Sequence, residues 1–485
     1  MQSVKKFANE LVAATSKAAQ VNKYNQALDD EVPNWKGLSL PSSDPIVGKN
    51  CRLELLEKHH ENDLAKILND KINTSQYWRY FHGHFQKDVQ QINEVNEFLF
   101  KIPSDFEYPV RISFVIIFDE AVKGIAEFRK VVPHFGCLGI SIICASKDSN
   151  IAQESGLLLL ERAFSSGYRR CEWRCNAFDE YSIDLALKLG LNFESVLRCA
   201  RVRNGHNVDD VIFGITDKQW QERSANESEA TAYIESEKKK IKARLNELNI
   251  EARDVDENGL KMGYPVPNWT PRPSPKEGLL KGRLCRFEIL EHRHAEDLFN
   301  VYHQSADDRD WTYLHASRPD SVESCKKWFD SMSAAPNRVS VAIICNKTNK
   351  PVGTAAFLRI DQENGVLEIG SINYSHLLQR TIMGTEAVYL LMKTTFNLGY
   401  RRCMWRCDIF NERSKVAAYR YGFTFEGILK QDVVIKNRNY DVASFSIVDK
   451  EWPKIDSAIS KWLNPTNFDK DGKQLKRLDE YMQNS

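Results

Sequence analysis

The chain repeats itself over most of its length, and a sequence that does so must build two domains rather than one. GYRRCEWRC at Gly167 to Cys175 recurs as GYRRCMWRC at Gly399 to Cys407, an offset of 232, and the match runs on without a gap to ITDKQW and IVDKEW. The beginnings repeat as well. VPNW at Val32–Trp35 returns at Val266–Trp269, and CRLELLEKHHENDL at Cys51–Leu64 returns as CRFEILEHRHAEDL at Cys285–Leu298, now with an offset of 234. A nearly constant offset across a unit of about 180 residues means duplication of a domain, not stacking of short solenoid repeats.

Two domains also suit a chain of 485 residues, given roughly 100–200 residues per domain. The expected organisation is a helical N-terminal segment over 1–44, a first repeat over 45–221, a linker over 222–278, a second repeat over 279–463 and a tail over 464–485. The linker contains ESEATAYIESEKKKIKARLNEL, a strongly charged, helix-forming composition, and closes with a proline-rich stretch from Pro265 to Pro275. Within the second repeat, Val339–Cys345, Val352–Ile360 and Val366–Asn373 read as strands from their β-branched residues. Thr385–Gly399 reads as a helix stopped by glycine, RCMWRCDIF as a fourth strand, and NERSKVAAYRYG as a helix ending at Gly422.

Composition narrows the function classes. The 42% hydrophobic and 11% aromatic content suffices for full cores, and 67 basic residues against 66 acidic ones leave no electrostatic footprint for a nucleic-acid partner. No apolar run reaches the length of a membrane span, and the N-terminus lacks a secretory core. Eleven cysteines without a CxxC pair point to reduced thiols and a cytoplasmic protein. Cys171/Cys175 and Cys403/Cys407 sit at matching places at even spacing, as core residues of a strand. His59, His60, His292 and His294 recur near the first helix of each repeat, and with no third ligand in view no metal is expected.

The segments LEIGSI, LLQRTIMGTEA, GYRRCMWRCDIFNERSKVAAYRYGFTFEG and the closing SIVDKEW of the second repeat resemble the Gcn5-related N-acetyltransferase superfamily, nearest to its ribosomal-protein and small-amine branch. The resemblance implies an α/β fold with a mixed sheet, here as two acyl-CoA N-acyltransferase-like domains in tandem. It implies acetyl-CoA as co-substrate, held by a Q/R-x-x-G-x-G/A loop whose amides and following helix wrap a pyrophosphate. Here that loop is Gln379, Arg380, Thr381, Ile382, Met383 and Gly384, followed by Thr385; Ile382 stands where the family has its first glycine.

By the same resemblance Asn411 and Ser414 face the pantetheine arm, although an N-cap pair is an equal reading of those two residues. Around Ile369, Gly370, Ser371 and Ile372 the third strand splays from its neighbour and frees backbone groups for the thioester. The family's tyrosine acid is replaced by Ala418, leaving Ser414 as the proton donor. The glutamate of some relatives is replaced by Arg406, leaving Glu368 or Asp408 as the base. In the first repeat the loop is Lys147 to Ala152, with Asp148 in the place of Arg380 and Asp179 in that of Asn411, so that copy is expected to be degenerate.

The expected function is therefore acetyl transfer from acetyl-CoA to a primary amine of a small molecule or a protein N-terminus, through the second repeat. A non-catalytic coenzyme A-binding or interaction scaffold is the alternative. The duplication is expected to act as an intramolecular pseudo-dimer, giving a monomer.

Overall fold

The computed structural model describes residues 20–69, 110–144, 149–223, 227–255, 260–335 and 337–483. The chain divides into two compact units. One holds residues 31–269 with 427–441; the other holds the described residues up to Asp30 together with 270–426 and 442–485.

In the first unit, β1 (Arg52–Leu55) is followed by α1 (Glu61–Asn69), then β2 (Ile112–Phe118), β3 (Ala121–Val132), β4 (Cys137–Cys144), α2 (Ser149–Ser165), β5 (Arg170–Asn176), α3 (Glu180–Lys188), β6 (Asn192–Arg203) and β7 (His206–Thr216). The sheet order is β1-β2-β3-β4-β5-β7-β6. Among the described residues its neighbouring strands pair antiparallel except β4 with β5, which run parallel and so need the crossover helix α2 between them. After β7 comes α4 (Glu227–Glu247), where the charged linker composition lies.

The second unit reproduces this order. Its elements are β8 (Cys285–Ile289), α5 (Ala295–Tyr302), α6 (Val322–Ala334), β9 (Val339–Cys345), β10 (Pro351–Asp361), β11 (Val366–Tyr374), α7 (Ile382–Asn397), β12 (Arg402–Asp408), α8 (Glu412–Arg420), β13 (Thr424–Ile435), β14 (Arg438–Val448) and α9 (Trp452–Leu463). The strands run β8-β9-β10-β11-β12-β14, with β13 beside β14, and β11 with β12 is again the parallel pair. Residues 427–441, which include most of β13 and the start of β14, group with the first unit.

Strand β9 shows why its sequence is apolar without alternation. Val341 and Ile343 join the core under α7, while Ala342 and Ile344 join a second cluster with Leu298, Phe329 and Trp311, so both faces of the strand are covered. Helix α7 is walled in likewise, with Ala387, Val388 and Leu391 buried, and it ends before Gly399 at φ +81. Near its start the Glu386 carboxylate accepts the amides of Arg283, Leu284 and Cys285 at 2.6–2.9 Å, tying the helix to the head of β8. Glu154 holds the amide of Asn50 in the same way in the first unit.

The expected helical segment over 1–44 is not what the described part of it forms. Residues 20–44 contain a short antiparallel pair, Gln20–Val21 with Ala27–Leu28, and turns, because Asn22, Asn25 and Pro33 favour turns over a helix; residues 1–19 lie outside the described part. The tail after Leu463 turns at Pro465–Asn467 and ends in a helix, Leu478–Gln483, that buries Leu478.

Candidate functional site

The loop before α7 is built by three interactions of its own backbone. Thr381 caps the helix, its Oγ1 accepting the Gly384 amide at 3.0 Å and donating to the Leu378 carbonyl at 2.9 Å. Gly384 is there for close approach: a Cβ would lie 2.2 Å from the Leu378 oxygen. Arg380 takes the left-handed conformation, at φ +59, and Ile382 does not, so an isoleucine at the family's first glycine causes no backbone strain. Among the described residues, the amides of Arg380, Ile382 and Met383 have no acceptor. The Arg380 side chain is exposed, and its guanidinium has no partner among the described residues. Three open N–H groups, a helix N-terminus of sixteen residues and a free cation together form an anion cradle that fits a diphosphate.

Strand β11 supplies the second part. Its parallel ladder with β12 holds only Val366, Leu367 and Glu368, opposite Arg402, Cys403 and Met404, and beyond Glu368 no pairing with β12 continues. On its other side the register with β10 slips between Thr354 and Ala356, where two residues of β11, Ser371 and Ile372, oppose one of β10, Ala355. Ser371, at φ +46, sits in that bulge. Gly370, Ser371 and Ile372 are half-buried there, while Ile369 points into the core.

The first repeat has the parallel ladder but not the bulge. Cys137, Leu138 and Gly139 pair with Arg170, Cys171 and Glu172, yet β3 and β4 keep unbroken register from Gly124/Cys144 to Arg129/Gly139. The bend lower on β10, at Arg359 (φ +46), does have its counterpart at Lys130 (φ +45). Of the corresponding loop, Lys147 and Asp148 lie outside the described residues.

The expected catalytic residues fall on two sides of the sheet. Glu368 shares a face with Met404, its partner in the parallel ladder, and alternation along β12 puts Arg406 and Asp408 there too. Glu368 is buried and gives its carboxylate to Arg359 at 2.6 Å. Asp408 Oδ1 accepts the Phe410 amide at 2.7 Å, turning the chain into α8. Ser414 lies on the opposite face, where its Oγ accepts the Trp405 indole N–H at 2.9 Å. Asn411 is the N-cap of α8, its side chain accepting the Ser414 amide at 3.2 Å, so of its two readings the capping one describes its bonds.

Gln379 braces the loop, donating to Asp310 at 2.8 Å and to the Tyr374 carbonyl at 3.0 Å. Thr385 is buried and accepts from Arg420. Tyr421 is buried and Tyr419 lies edge-on against Phe445. The cysteines of β12 are strand-core residues, and burial pushes the Cys403 and Cys407 thiols up to about 12.

Sequence reasoning passed over three residues. Tyr374 donates its hydroxyl to the Gly384 carbonyl at 2.7 Å. Asp310 bridges Gln379 to Arg413, next to Ser414, at 2.9 Å. Arg338 reaches the bulge, donating to Ser371 Oγ at 3.0 Å. Asp310 and Arg338 lie outside the quoted motifs, and only the tertiary fold brings them in. The histidines are turn caps: His60 and His294 accept the amides of Glu57 and Glu291 at 3.1 Å.

The family model described as an acetyltransferase (GNAT) domain matches residues 286–424. An uncharacterised N-acetyltransferase of Bacillus licheniformis, p20, is 32% identical over 124 residues, which are 25% of this chain and 67% of that protein. Among solved structures, a GCN5-related N-acetyltransferase from Brucella melitensis is 40% identical, the match covering 44% of this chain and 99% of that one with a TM-score of 0.43. A protein from Chromobacterium violaceum described as a probable acetyltransferase of the GNAT family is 35% identical over 39% of this chain and 94% of that one, at a TM-score of 0.37.

Proposed function

Because the chain belongs to the GNAT acetyltransferase family and is an acyl-CoA-dependent acetyltransferase, we propose that its second repeat carries the activity, moving an acetyl group from acetyl-CoA to a primary amine of a small molecule or a protein N-terminus. The observation that carries this reading is the pairing of an open anion cradle at Arg380 to Met383 with a bulged, splayed strand at Gly370 to Ile372. Acetyl-CoA would supply a thioester carbonyl open to direct attack, with no covalent enzyme intermediate.

The residues of the chain divide the remaining work. The amides of Arg380, Ile382 and Met383 hold the diphosphate, and the Arg380 guanidinium adds a charge-assisted bond. The free backbone edge of Gly370 to Ile372 orients the pantetheine arm and polarises the carbonyl. Ser414, whose oxygen accepts from Trp405 and whose hydroxyl also meets the Cys407 thiol, gives its proton to the departing sulfur. Glu368 is bound to the Arg359 guanidinium, which opposes its taking a proton, and Asp408 is the other carboxylate offered as base.

The first repeat is in this reading a second copy of the same fold that binds no acetyl-CoA, its regular β4 lacking the bulge. The eleven cysteines, all free, support a cytoplasmic, reducing compartment, and no helix among the described residues is long and apolar enough to cross a membrane. Sedimentation is expected to give a monomer.

Calorimetric titration with acetyl-CoA tests the assignment. One site per chain is expected, weakened at least about tenfold by Arg380→Glu, since a charge-assisted bond contributes about 1.5–3 kcal/mol. Two equal sites, or an unchanged Kd in the variant, would refute it.

A further inference from the structure

The two repeats begin their second strands in the same way and then differ in one respect. Arg111, just before β2, and Arg338, just before β9, each stand two residues ahead of a serine, Ser113 and Ser340. In the strand ladder Ser113 faces Glu127, whereas Ser340 faces Ala356. Glu127 is fully buried, and its carboxylate pairs with Arg111 and accepts from Ser113 at 2.9 Å. The first repeat thus brings its own carboxylate to this arginine. The second has none there.

Arg338 is instead held by two hydroxyls. Its Nε donates to Ser340 Oγ at 2.8 Å and its Nη2 to Ser371 Oγ at 3.0 Å, so one edge of the guanidinium is taken and the edge formed by Nη1 and the second Nη2 hydrogen stays open. Among the described residues no carboxylate lies within ion-pair distance of it. Glu368, the carboxylate whose field reaches it, is bonded to Arg359 at 2.6 Å. Burial holds the Arg338 guanidinium down to about 10 against the opposing pull of Glu368, which marks a cation short of a counter-ion. Ser371, which it touches, is the bulge residue where the acyl group is expected.

We propose that Arg338 recognises a carboxylate carried by the acceptor, so that the amine substrate is an amino acid or a close derivative with its acid group free. The acceptor's carboxylate takes on Arg338 the role that Glu127 plays on Arg111, and the bond to Ser371 places it beside the bulge, where the neighbouring amine meets the thioester. A planar carboxylate suits the open edge of the guanidinium, which offers two parallel N–H groups. This inference rests on the acetyltransferase reading of the second repeat.

The test uses the whole chain, acetyl-CoA and matched pairs of free amino acids and their carboxamides, with Arg338→Gln, Arg338→Lys and Ala356→Glu. The intact protein is expected to favour the acid over the amide at least tenfold in kcat/KM. Arg338→Gln should erase that preference through KM, with kcat and acetyl-CoA affinity within a few fold, and Arg338→Lys should restore part of it. Ala356→Glu, which rebuilds the internal pair of the first repeat, should weaken the acids alone. Acids and amides used equally by the intact protein, or a preference that survives in Arg338→Gln, would overturn the proposal while leaving the acetyltransferase reading intact. If acetyl-CoA binds and no amine is acetylated, both fall together.

Discussion

Strand β12 must stay fixed while β11 diverges from it, and the buried pair Arg402–Glu426 is what fixes it. Arg402 opens the three-residue parallel ladder, facing Val366. Its guanidinium meets Glu426 through two bonds of 2.6 Å, and the carboxylate accepts further from Ser446 at 2.8 Å and Ser444 at 3.3 Å. The two side chains are 1% and 0% exposed, so neither charge can turn to water if its partner is removed. Arg402→Met would leave a buried carboxylate with two hydroxyls, at a cost of about 3–5 kcal/mol. For a domain of this size each kcal/mol shifts Tm by about 2–4 °C, which makes the expected loss about 6–20 °C. The double variant Arg402→Met/Glu426→Leu removes both charges and should return to within a few degrees of the parent, because a buried pair and an apolar pair of similar volume are nearly equivalent. Calorimetric scans of the three proteins decide the matter. A single variant that loses under about 1 kcal/mol, or a double variant as unstable as the single, would refute the idea that an uncompensated charge is the cause.

Gly384→Ala forces a Cβ to within 2.2 Å of the Leu378 carbonyl, so the first turn of α7 must shift; stability should fall by about 1–3 kcal/mol and acetyl-CoA affinity with it, by thermal scan and titration. Ser414→Ala is expected to lower kcat about 10²-fold or more with acetyl-CoA affinity unchanged, the signature of a lost proton donor; equal loss in binding would make Ser414 a binding residue instead. Acid should destabilise the fold below about pH 6.5: burial lowers the His60 and His294 pKa from 6.5, and each Nδ1 must stay unprotonated to accept its amide. The unfolded chain then takes up the protons first, stability is full above pH 6.5 and falls toward the lower folded values. His60→Asn/His294→Asn should flatten that profile in pH-dependent melting.

The strands and helices of the second repeat were legible because their signals are local. Val339–Cys345, the 366–373 strand and the helix closed by Gly399 follow from β-branched runs and a glycine stop, which depend on neighbours in sequence. Residues 20–44, expected as part of a helical segment, form a short strand pair and turns instead, because Asn22 and Asn25 favour turns, with Asn25 at φ +58. The bulge was not legible at all. Nothing about Ser371 marks it for φ +46, since a bulge is a property of two strands in register and the slip shows only against Thr354 and Ala356. The same blindness hid the difference between the repeats. Their motifs suggest that the first copy failed in its phosphate loop, at Asp148, yet its β4 is also regular where β11 is bent, and its Arg111 is satisfied by Glu127 where Arg338 is not. Repairing the loop alone would therefore leave the first repeat inactive, since the acyl group and the acceptor would still meet an unbroken strand and an arginine already neutralised. Restoring function there would take a bulge at Ile142 and loss of the Glu127 carboxylate together, and a loop-repaired first repeat that acetylates amines without those changes would refute this account.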